Sequence, residues 1–410
     1  MKPLSPEPTG PDRAAWAAVV LAALCLALRK PWALLTPQLW AEDGSIFLVQ
    51  DEQLGLGAWF TPYNGYLHLL PRIVAWLTSR TLDVAWWPAA YNGAAYLGTL
   101  ALFARLASRR VDLPAKPALI LAFSLVVGTG EVLIVLTNLQ WLAAFFLLLQ
   151  VFTHPPRHSL ERAGDLTLLA VVGLNGPFAA IFGPLLAWRW WETRHRDHLA
   201  AVAVTGIAAV TQGVLLLQTP LDINAETVPF RPLMAMSVIG SRLVTWPFFG
   251  PEAVSAAPPW LHAAGGTLFL GALAGWALRP DELRPVRLRL IVALGIVTAA
   301  CAFRARADVW AEDTLESGDR YYYISRVLVV WLVVLESRTR PAAVAWSART
   351  LLAAGLLLHL PHFILPAPPD YRWAEQCDAI RRGVPANIFT LPEGWWIEYP
   401  GRPRPPSPPE

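Results

Sequence analysis

Long runs of uncharged, apolar residues recur along the whole chain, and this pattern constrains the fold more than any other feature. A helix that spans a bilayer needs about 20 consecutive apolar residues. The runs lie at 14–28, 84–104, 117–130, 132–156, 166–188, 199–221, 253–278, 290–303, 321–335 and 350–369. Only Arg326 interrupts the run at 321–335. The pattern predicts an all-α polytopic membrane protein.

The composition excludes the other broad classes of protein. Hydrophobic residues make up 55% of the 410 residues and charged residues 15%, whereas a soluble domain carries about 25% charged residues. A soluble two-domain chain would need more polar surface, and a disordered chain would be less hydrophobic. The formal net charge is only +3, which is too small to indicate a nucleic-acid binder. Because of the apolar runs, membrane lipid is an expected partner.

Lysine and arginine residues cluster in short loops that orient the helices. These loops are 105–116, 157–162, 189–196, 279–289 and 338–349. The positive-inside rule places all of them in the cytoplasm, so a hairpin must separate each consecutive pair. The run at 166–188 therefore turns at Asn175-Gly176-Pro177 into two short helices, which gives about eleven transmembrane or half-length helices. A single span there would invert the orientation of everything that follows.

This orientation divides the chain into three parts. Residues 1–13 are predicted to form a disordered cytoplasmic N-terminus. Residues 14–365 form the transmembrane domain, with a large first outer loop at 35–83. Residues 366–410 form a short extracytoplasmic C-terminal segment, and its proline-rich tail is predicted to be disordered. The expected localisation is the cell membrane, with multiple passes.

Two adjacent carboxylates, Glu42 and Asp43, follow the first span. Mutual repulsion and poor hydration at an apolar boundary both raise a carboxylate pKa, which suits a general base. Such a pair can also hold a divalent cation. The alternative is a solvated loop start. On a helix the two side chains diverge by about 100°, so we expect only one of them to face an acceptor.

Aromatic, amide and imidazole side chains cluster further along the first outer loop. They are Tyr63, Asn64, Tyr66 and His68, with Arg72 just behind them. Tyrosine rings stack on the faces of sugars, and amides hydrogen-bond to hydroxyl groups, so this stretch is a candidate substrate site. The alternative is an aromatic belt at the membrane interface.

Further polar candidates lie at the predicted outer turns. Glu131 stands between two apolar runs, where a carboxylate is costly and indicates function; the alternative is a solvated turn. Asn138 and Gln140 are either ligand contacts or hydrogen-bonding groups between helices. Arg320 and Tyr321 begin a helix from the outer face, and Arg320 can bind a phosphate or extend to lipid headgroups.

Several of these motifs together resemble the GT-C superfamily of membrane glycosyltransferases, and more closely a group of uncharacterised bacterial multipass proteins of that type. The stretches that carry the resemblance are WAEDG at 40–44, PYNGYLHLLPR at 62–72, LTNLQW at 136–141, GDRY at 318–321 and PEGW at 392–395. They extend over most of the chain. The resemblance implies a GT-C-like helical bundle with an outer first loop.

The resemblance also implies a glycosyltransferase that uses a polyprenyl-phosphate-linked sugar donor and a cell-envelope acceptor on the outer face of the membrane. Asp43, with Glu42 beside it, would deprotonate the acceptor or support a divalent metal ion, and Arg320 would contact the donor phosphate. Two alternatives stay open. A lipid-linked glycan flippase or transporter needs polar residues across the bilayer, whereas a non-catalytic envelope-assembly protein tolerates the loss of both carboxylates.

Overall fold

The structure is a computed structural model that describes residues 12–219, 231–304, 315 and 318–401. The predicted disordered ends therefore lie largely outside the described residues. The α-helices are α1 (Arg13–Arg29), α2 (Trp32–Leu35), α3 (Val49–Leu54), α4 (Leu69–Thr81), α5 (Trp87–Ala107), α6 (Lys116–Leu125), α7 (Leu139–Gln150), α8 (Ser159–Gly173), α9 (Phe178–Thr193), α10 (Arg196–Gln218), α11 (Pro232–Gly240), α12 (Trp246–Phe249), α13 (Pro251–Ala256), α14 (Pro259–Ala277), α15 (Arg284–Arg304), α16 (Arg320–Glu336), α17 (Ala342–His359), α18 (Trp373–Gln376) and α19 (Asp378–Arg382). Two short strands, β1 (Ala386–Thr390) and β2 (Trp395–Tyr399), follow. The described ranges also contain two π-helical stretches (Asp43–Leu48 and Ser241–Thr245) and three 3-10 turns (Gly55–Phe60, Val84–Trp86 and Leu360–His362).

Within the described residues, three helical segments are long and apolar enough to cross a bilayer. They are α10, α15, and α17 with the 3-10 turn that follows it. Much of their apolar surface is exposed, as at Leu217 and Leu357. Exposed apolar surface on this scale marks contact with lipid or with another protein. The described part of the chain is therefore mostly helical, and these helices indicate that the protein associates with a membrane.

The predicted break within 166–188 is present. A short turn around Gly176, which has φ +96°, separates α8 from α9. At one end of this unit Arg162 donates a hydrogen bond to Asp197 at 2.6 Å. At the other end Gln212 donates to the Gly176 carbonyl at 3.2 Å. Because these bonds join the starts and the ends of α8 and α10, the two helices run parallel, and α9 is the returning arm of a hairpin.

The helices predicted over 117–130 and 132–156 are shorter in the structure. α6 ends at Leu125 and α7 begins at Leu139, and the residues between them form no regular helix. This segment, 126–138, is mostly buried. Buried backbone groups outside a helix need hydrogen-bond partners from elsewhere in the protein.

Buried cations supply those hydrogen bonds. Arg29 donates to two carbonyls at the end of α6, at 2.9 and 2.6 Å, and Lys30 donates to two carbonyls further along, at 3.0 and 2.7 Å. The accepting carbonyls are those of Ser124, Val126, Gly130 and Leu133. Arg326, in α16, donates to the Val127 carbonyl and, at 2.6 Å, to the carboxylate of Asp319. Charged donors thus replace helical hydrogen bonds along this segment.

The second half of the bundle contains a close helix contact that depends on glycine. α11 and the π-helical stretch after it pack against α14. The backbones of Gly240 and Gly266 meet at this crossing, and a Cβ atom at Gly240 would overlap the carbonyl of His262. Small residues permit this approach of two helices, which is common in membrane bundles.

The C-terminal segment is folded through residue 401 and departs from the all-α prediction. β1 and β2 pair antiparallel, with Ile388 opposite Ile397, and both side chains are buried. The alternation of buried and exposed residues along each strand accounts for this structure. Leu391 bonds through its backbone to the first outer loop, donating to Leu39 at 3.0 Å and accepting from Ala41. The hairpin is therefore attached to the loop that contains the carboxylate pair.

We expect Arg29→Met to destabilise the fold. Methionine keeps a long apolar side chain but leaves two buried carbonyls without donors, which costs about 2–4 kcal/mol. Thermal unfolding in detergent or nanodiscs measures the effect. Arg13→Met, at the exposed start of the same helix, is the control and should leave the transition unchanged. A wild-type melting curve for Arg29→Met would contradict the role assigned to this side chain.

Candidate functional site

Asp43 is the most deeply buried carboxylate of the predicted site. It begins the π-helical stretch Asp43–Leu48 and is fully buried. Its Oδ1 accepts hydrogen bonds from the backbone N–H and the hydroxyl of Thr137, at 2.8 and 2.7 Å. Burial raises the pKa of Asp43 to about 7 against the opposing effect of the Thr137 bonds, and the charge of Glu42 adds to the rise. Asp43 therefore ionises near neutral pH.

The side chain of Glu42 is partly exposed and lies near an ion pair. The side chains of Glu131 and Arg320 form a salt bridge, and the backbone N–H of Arg320 donates to the Glu131 carboxylate at 3.2 Å. Burial raises the pKa of Glu42, Arg320 opposes this rise and Glu131 adds to it. The expectation that Asp43 faces an acceptor stays a prediction, although Asp43 is fully buried here. The helical backbone points the two side chains in different directions, and Glu42 is the accessible one.

Arg320 is already paired, although the sequence predicts it to be a phosphate ligand. Its side chain is 34% exposed, and its guanidinium lies 5.0 Å from the ring of Tyr321. Burial lowers the pKa of Arg320, but the charges of Glu131, Tyr321 and Glu42 and the hydrogen bond to Glu131 together outweigh burial and leave this pKa raised. A phosphate that binds here must compete with Glu131. Because Glu131 is paired and largely buried, the reading of this residue as part of a solvated turn is excluded.

Tyr63 and Tyr66 are held on a tight turn of the first outer loop. Their backbones exchange two hydrogen bonds, at 3.0 and 3.3 Å. Asn64 and Gly65, between them, both have positive φ, 51° and 87°, as a two-residue I′ turn requires. Burial raises the pKa of Tyr63 to about 12, and the charge of Glu42 adds to this rise. The turn therefore presents a tyrosine close to the accessible carboxylate.

His68 lies beneath this turn in an aromatic cage. Its ring centroid is 5.4 Å from that of Phe47, 5.7 Å from that of Tyr63 and 4.7 Å from that of Tyr66. Burial lowers the pKa of His68 to about 3, and the positive charge of Arg72 adds to this effect. His68 is thus neutral at physiological pH and positions the aromatic rings.

Arg72 is buried without a hydrogen-bond partner among the described residues. Its guanidinium lies 5.3 Å from the ring of Phe47, and none of its three nitrogen atoms is hydrogen-bonded. Burial lowers its pKa to about 10, so the group stays charged at neutral pH. An unpaired buried cation is costly. An anion bound beside Arg72 would therefore be stabilised.

The remaining predicted residues form the back of the site. Asn138 donates to the Glu131 carbonyl at 2.8 Å, which favours a structural role for this amide. Gln140 is buried, and its Oε1 packs against the Gly176 turn. The ring of Tyr321 lies 5.4 Å from that of Trp141. The structure therefore brings the predicted residues of both outer turns and of the first loop to one end of the bundle.

The sequence does not single out two contributors to the site. Thr137 lies within the stretch LTNLQW but has no charge or ring to mark it. Lys30 follows the first apolar run, where a cation is an ordinary helix flank. Only the fold shows that the ammonium of Lys30 lies close enough to interact electrostatically with Asp43 and Glu131.

An amphipathic cavity lies beside segment 126–138. Its volume is about 450 Å³, and its polar lining residues include Arg29, Thr129, Ser255, His359 and His362. Leu125, Val127 and His359 also line an apolar groove of about 220 Å³, which is built from α6, α12, α16 and α17. The apolar groove thus ends in a cavity with polar lining residues, an arrangement that suits an amphipathic ligand.

The acidic groups of the site are few. In the described ranges, no group of three or more His, Cys, Asp or Glu side chains is placed to hold a metal ion. Asp43 uses its Oδ1 to accept from Thr137. A divalent cation stays a prediction, and Glu42 would be its accessible carboxylate.

Asp43 should make stability depend on pH. Its pKa rises from an ordinary 3.8 to about 7 on folding, so the folded protein binds more protons between these values. Stability therefore falls as pH rises from about 4 to about 7. Asp43→Asn keeps an acceptor for Thr137 but cannot ionise, and its unfolding temperature should vary less over this interval. Thermal unfolding across pH measures this, with the exposed Glu375→Gln as control. A pH dependence equal to that of wild type would contradict the burial of this charge.

No protein-family model matches the chain, and neither a curated protein nor a solved structure matches it. The functional interpretation therefore depends on the residues and their geometry, and the resemblance to the GT-C superfamily stays a prediction.

Proposed function

We propose that this protein is a glycosyltransferase that moves a sugar from a polyprenyl-phosphate donor to a cell-envelope acceptor on the outer face of the cytoplasmic membrane. The observation that carries the proposal is the carboxylate pair. Asp43 has a pKa near neutrality, and Glu42 beside it is partly exposed next to a paired arginine. Perturbed carboxylates in a polar cluster are typical of catalytic sites.

The proposal includes the membrane arrangement inferred from the loop charges. About eleven transmembrane or half-length helices form a GT-C-like multi-pass bundle, with the N-terminus in the cytoplasm and the C-terminus outside. The three apolar helical segments and the hairpin of α8 and α9 support this arrangement. Asp43 and Glu131 then lie at the outer end.

Transfer requires a base that takes the acceptor proton and a cation that stabilises the charge of the leaving phosphate. A bond forms between the acceptor oxygen and the anomeric carbon, and the bond between that carbon and the phosphate oxygen of the donor breaks. Glu42, the accessible carboxylate, takes the acceptor proton. Asp43 keeps the loop in place through Thr137. The lipid phosphate leaves with its negative charge, which Arg320 stabilises as the phosphate competes with Glu131.

The groove and the polar cavity support a lipid-linked donor. Its polyprenyl chain would occupy the apolar groove along α6, α16 and α17. Its headgroup would then extend from the cavity at Arg29 and His359 towards Arg320. The unpaired Arg72 offers a second cation for a phosphate in the site itself. The aromatic turn of Tyr63 and Tyr66 would stack on the sugar.

Two alternative functions require different properties of the same residues. A flippase or transporter needs polar groups along a path across the bilayer, whereas the predicted site residues of this chain converge at one end of the bundle. A non-catalytic assembly protein would retain its activity in the cell without either carboxylate. The polar cluster at one end favours the enzyme.

We expect Glu42→Gln to lower the rate of transfer by a factor of about 10² to 10⁴, the usual effect of losing a general base. Asp43→Asn should cost less, because its hydrogen bonds to Thr137 persist. The measurement is transfer from defined polyprenyl-phosphate sugars by the protein in nanodiscs, with donor binding recorded in parallel. Glu375→Gln, an exposed carboxylate of the C-terminal segment, is the control.

The same assay separates the rivals. Wild-type turnover by Glu42→Gln with intact donor binding would remove the catalytic role of the pair. Donor movement between leaflets without transfer would indicate a flippase. A wild-type protein that neither binds nor transfers any donor would contradict the proposed function as a whole.

A further inference from the structure

The solvent-facing side of the C-terminal hairpin carries an unusual set of side chains. Phe389 lies opposite Trp396, and Asn387 lies opposite Glu398. Phe389 is 58% exposed and Trp396 is 48% exposed. The indole N–H of Trp396 donates to the Glu398 carboxylate at 3.3 Å. Two exposed aromatic rings therefore lie next to an amide and an oriented carboxylate on a regular strand pair.

A cleft of about 500 Å³ opens where this hairpin meets the first outer loop. It is lined by Ser45, Gly394, Trp395, Trp396 and Glu398. Ser45 lies only two residues after Asp43, on the same π-helical stretch. The cleft thus leads from the aromatic face of the hairpin to the element that holds the carboxylate pair.

The hairpin is fixed in place relative to that element. Ile397 packs so closely against Gly44 that a Cβ atom there would overlap it. Thr390 donates through its hydroxyl to the Leu39 carbonyl at 2.5 Å, and the backbone of Leu391 bonds to the same stretch. A ligand on the hairpin is therefore held at a defined position relative to Glu42 and Asp43.

The chemistry of this surface favours a carbohydrate over lipid. Flat aromatic rings pack on the C–H faces of sugar rings, and carboxylates and amides hydrogen-bond to their hydroxyl groups. A membrane interface also attracts tryptophan. However, Glu393 and Glu398 are both exposed beside Trp395 and Trp396, and carboxylates are unfavourable at an anionic lipid surface.

We infer that the C-terminal hairpin and its cleft bind the glycan portion of the acceptor, with Trp396 and Phe389 as the stacking surface and Glu398 as a hydroxyl ligand. This inference rests on the proposed function and identifies the acceptor as a carbohydrate. It assigns a binding role to the C-terminal segment. The acceptor hydroxyl would enter through the cleft past Ser45.

The test measures saccharide binding to the full-length protein in nanodiscs. The probes are a panel of neutral hexose and pentose oligosaccharides, followed by saturation-transfer NMR and calorimetry. We expect Trp396→Ala to weaken the affinity of a bound saccharide about tenfold, the scale of one lost aromatic contact, and Glu398→Gln to weaken it less. Trp346→Ala removes a tryptophan that is 64% exposed on α17; this control should bind normally.

The outcomes separate this inference from the proposed function. Wild-type saccharide affinity in Trp396→Ala, or no saccharide bound by the wild-type protein, would overturn the inference, and intact donor binding would then leave the transferase proposal in place. A spin label on Phe389→Cys that shows lipid-like accessibility would assign this face to the bilayer and also overturn it. Trp396→Ala must retain the wild-type melting temperature and donor binding for the expected result to count.

Discussion

Irregular backbone buried inside a helical bundle is the constraint on which the rest of the structure depends. Several carbonyls of segment 126–138 have no helical N–H donor, and each unmet one would cost about 1–3 kcal/mol. Buried cations from the end of α1 and from α16 donate to these carbonyls. With the segment held in this way, Glu131 reaches Arg320 and Thr137 reaches Asp43. The hydrogen bonds that support the fold thus also build the site.

The first loop, 35–83, and the C-terminal segment meet at this end of the bundle, where the backbone of Leu391 bonds to Leu39 and Ala41. The guanidinium of Arg72, which has no hydrogen-bond partner among the described residues, lies at this end. Charged side chains elsewhere form ion pairs, as for Arg110 with Asp165 at 2.5 Å and Arg287 with Glu336 at 2.7 Å. Arg72 differs from them because it has no carboxylate partner and is available to an anionic ligand.

Composition and loop charge predict the helical class and the hairpin within 166–188, because hydrophobic length and charge bias act locally along the sequence. The candidate site residues could also be chosen from local sequence, because a carboxylate beside apolar runs is costly wherever it lies in the fold. Their partners could not be predicted. The pairing of Asp43 with Thr137 depends on the path of the irregular segment 126–138. The exposure of Glu42 depends on which side of its helical turn faces outward. The strand pair at 386–399 was not predicted, because the surrounding prolines favour a prediction of disorder.

A structure of the protein in nanodiscs with a non-hydrolysable polyprenyl-phosphonate sugar tests the central claim most directly. We expect the lipid tail in the groove along α6, α16 and α17, the headgroup between His359 and Arg320, and the anomeric carbon facing Glu42. The bilayer should leave the first outer loop and the C-terminal hairpin on one side. A headgroup bound at the opposite end of the bundle, or a bilayer that separates the loop from the hairpin, would contradict the account.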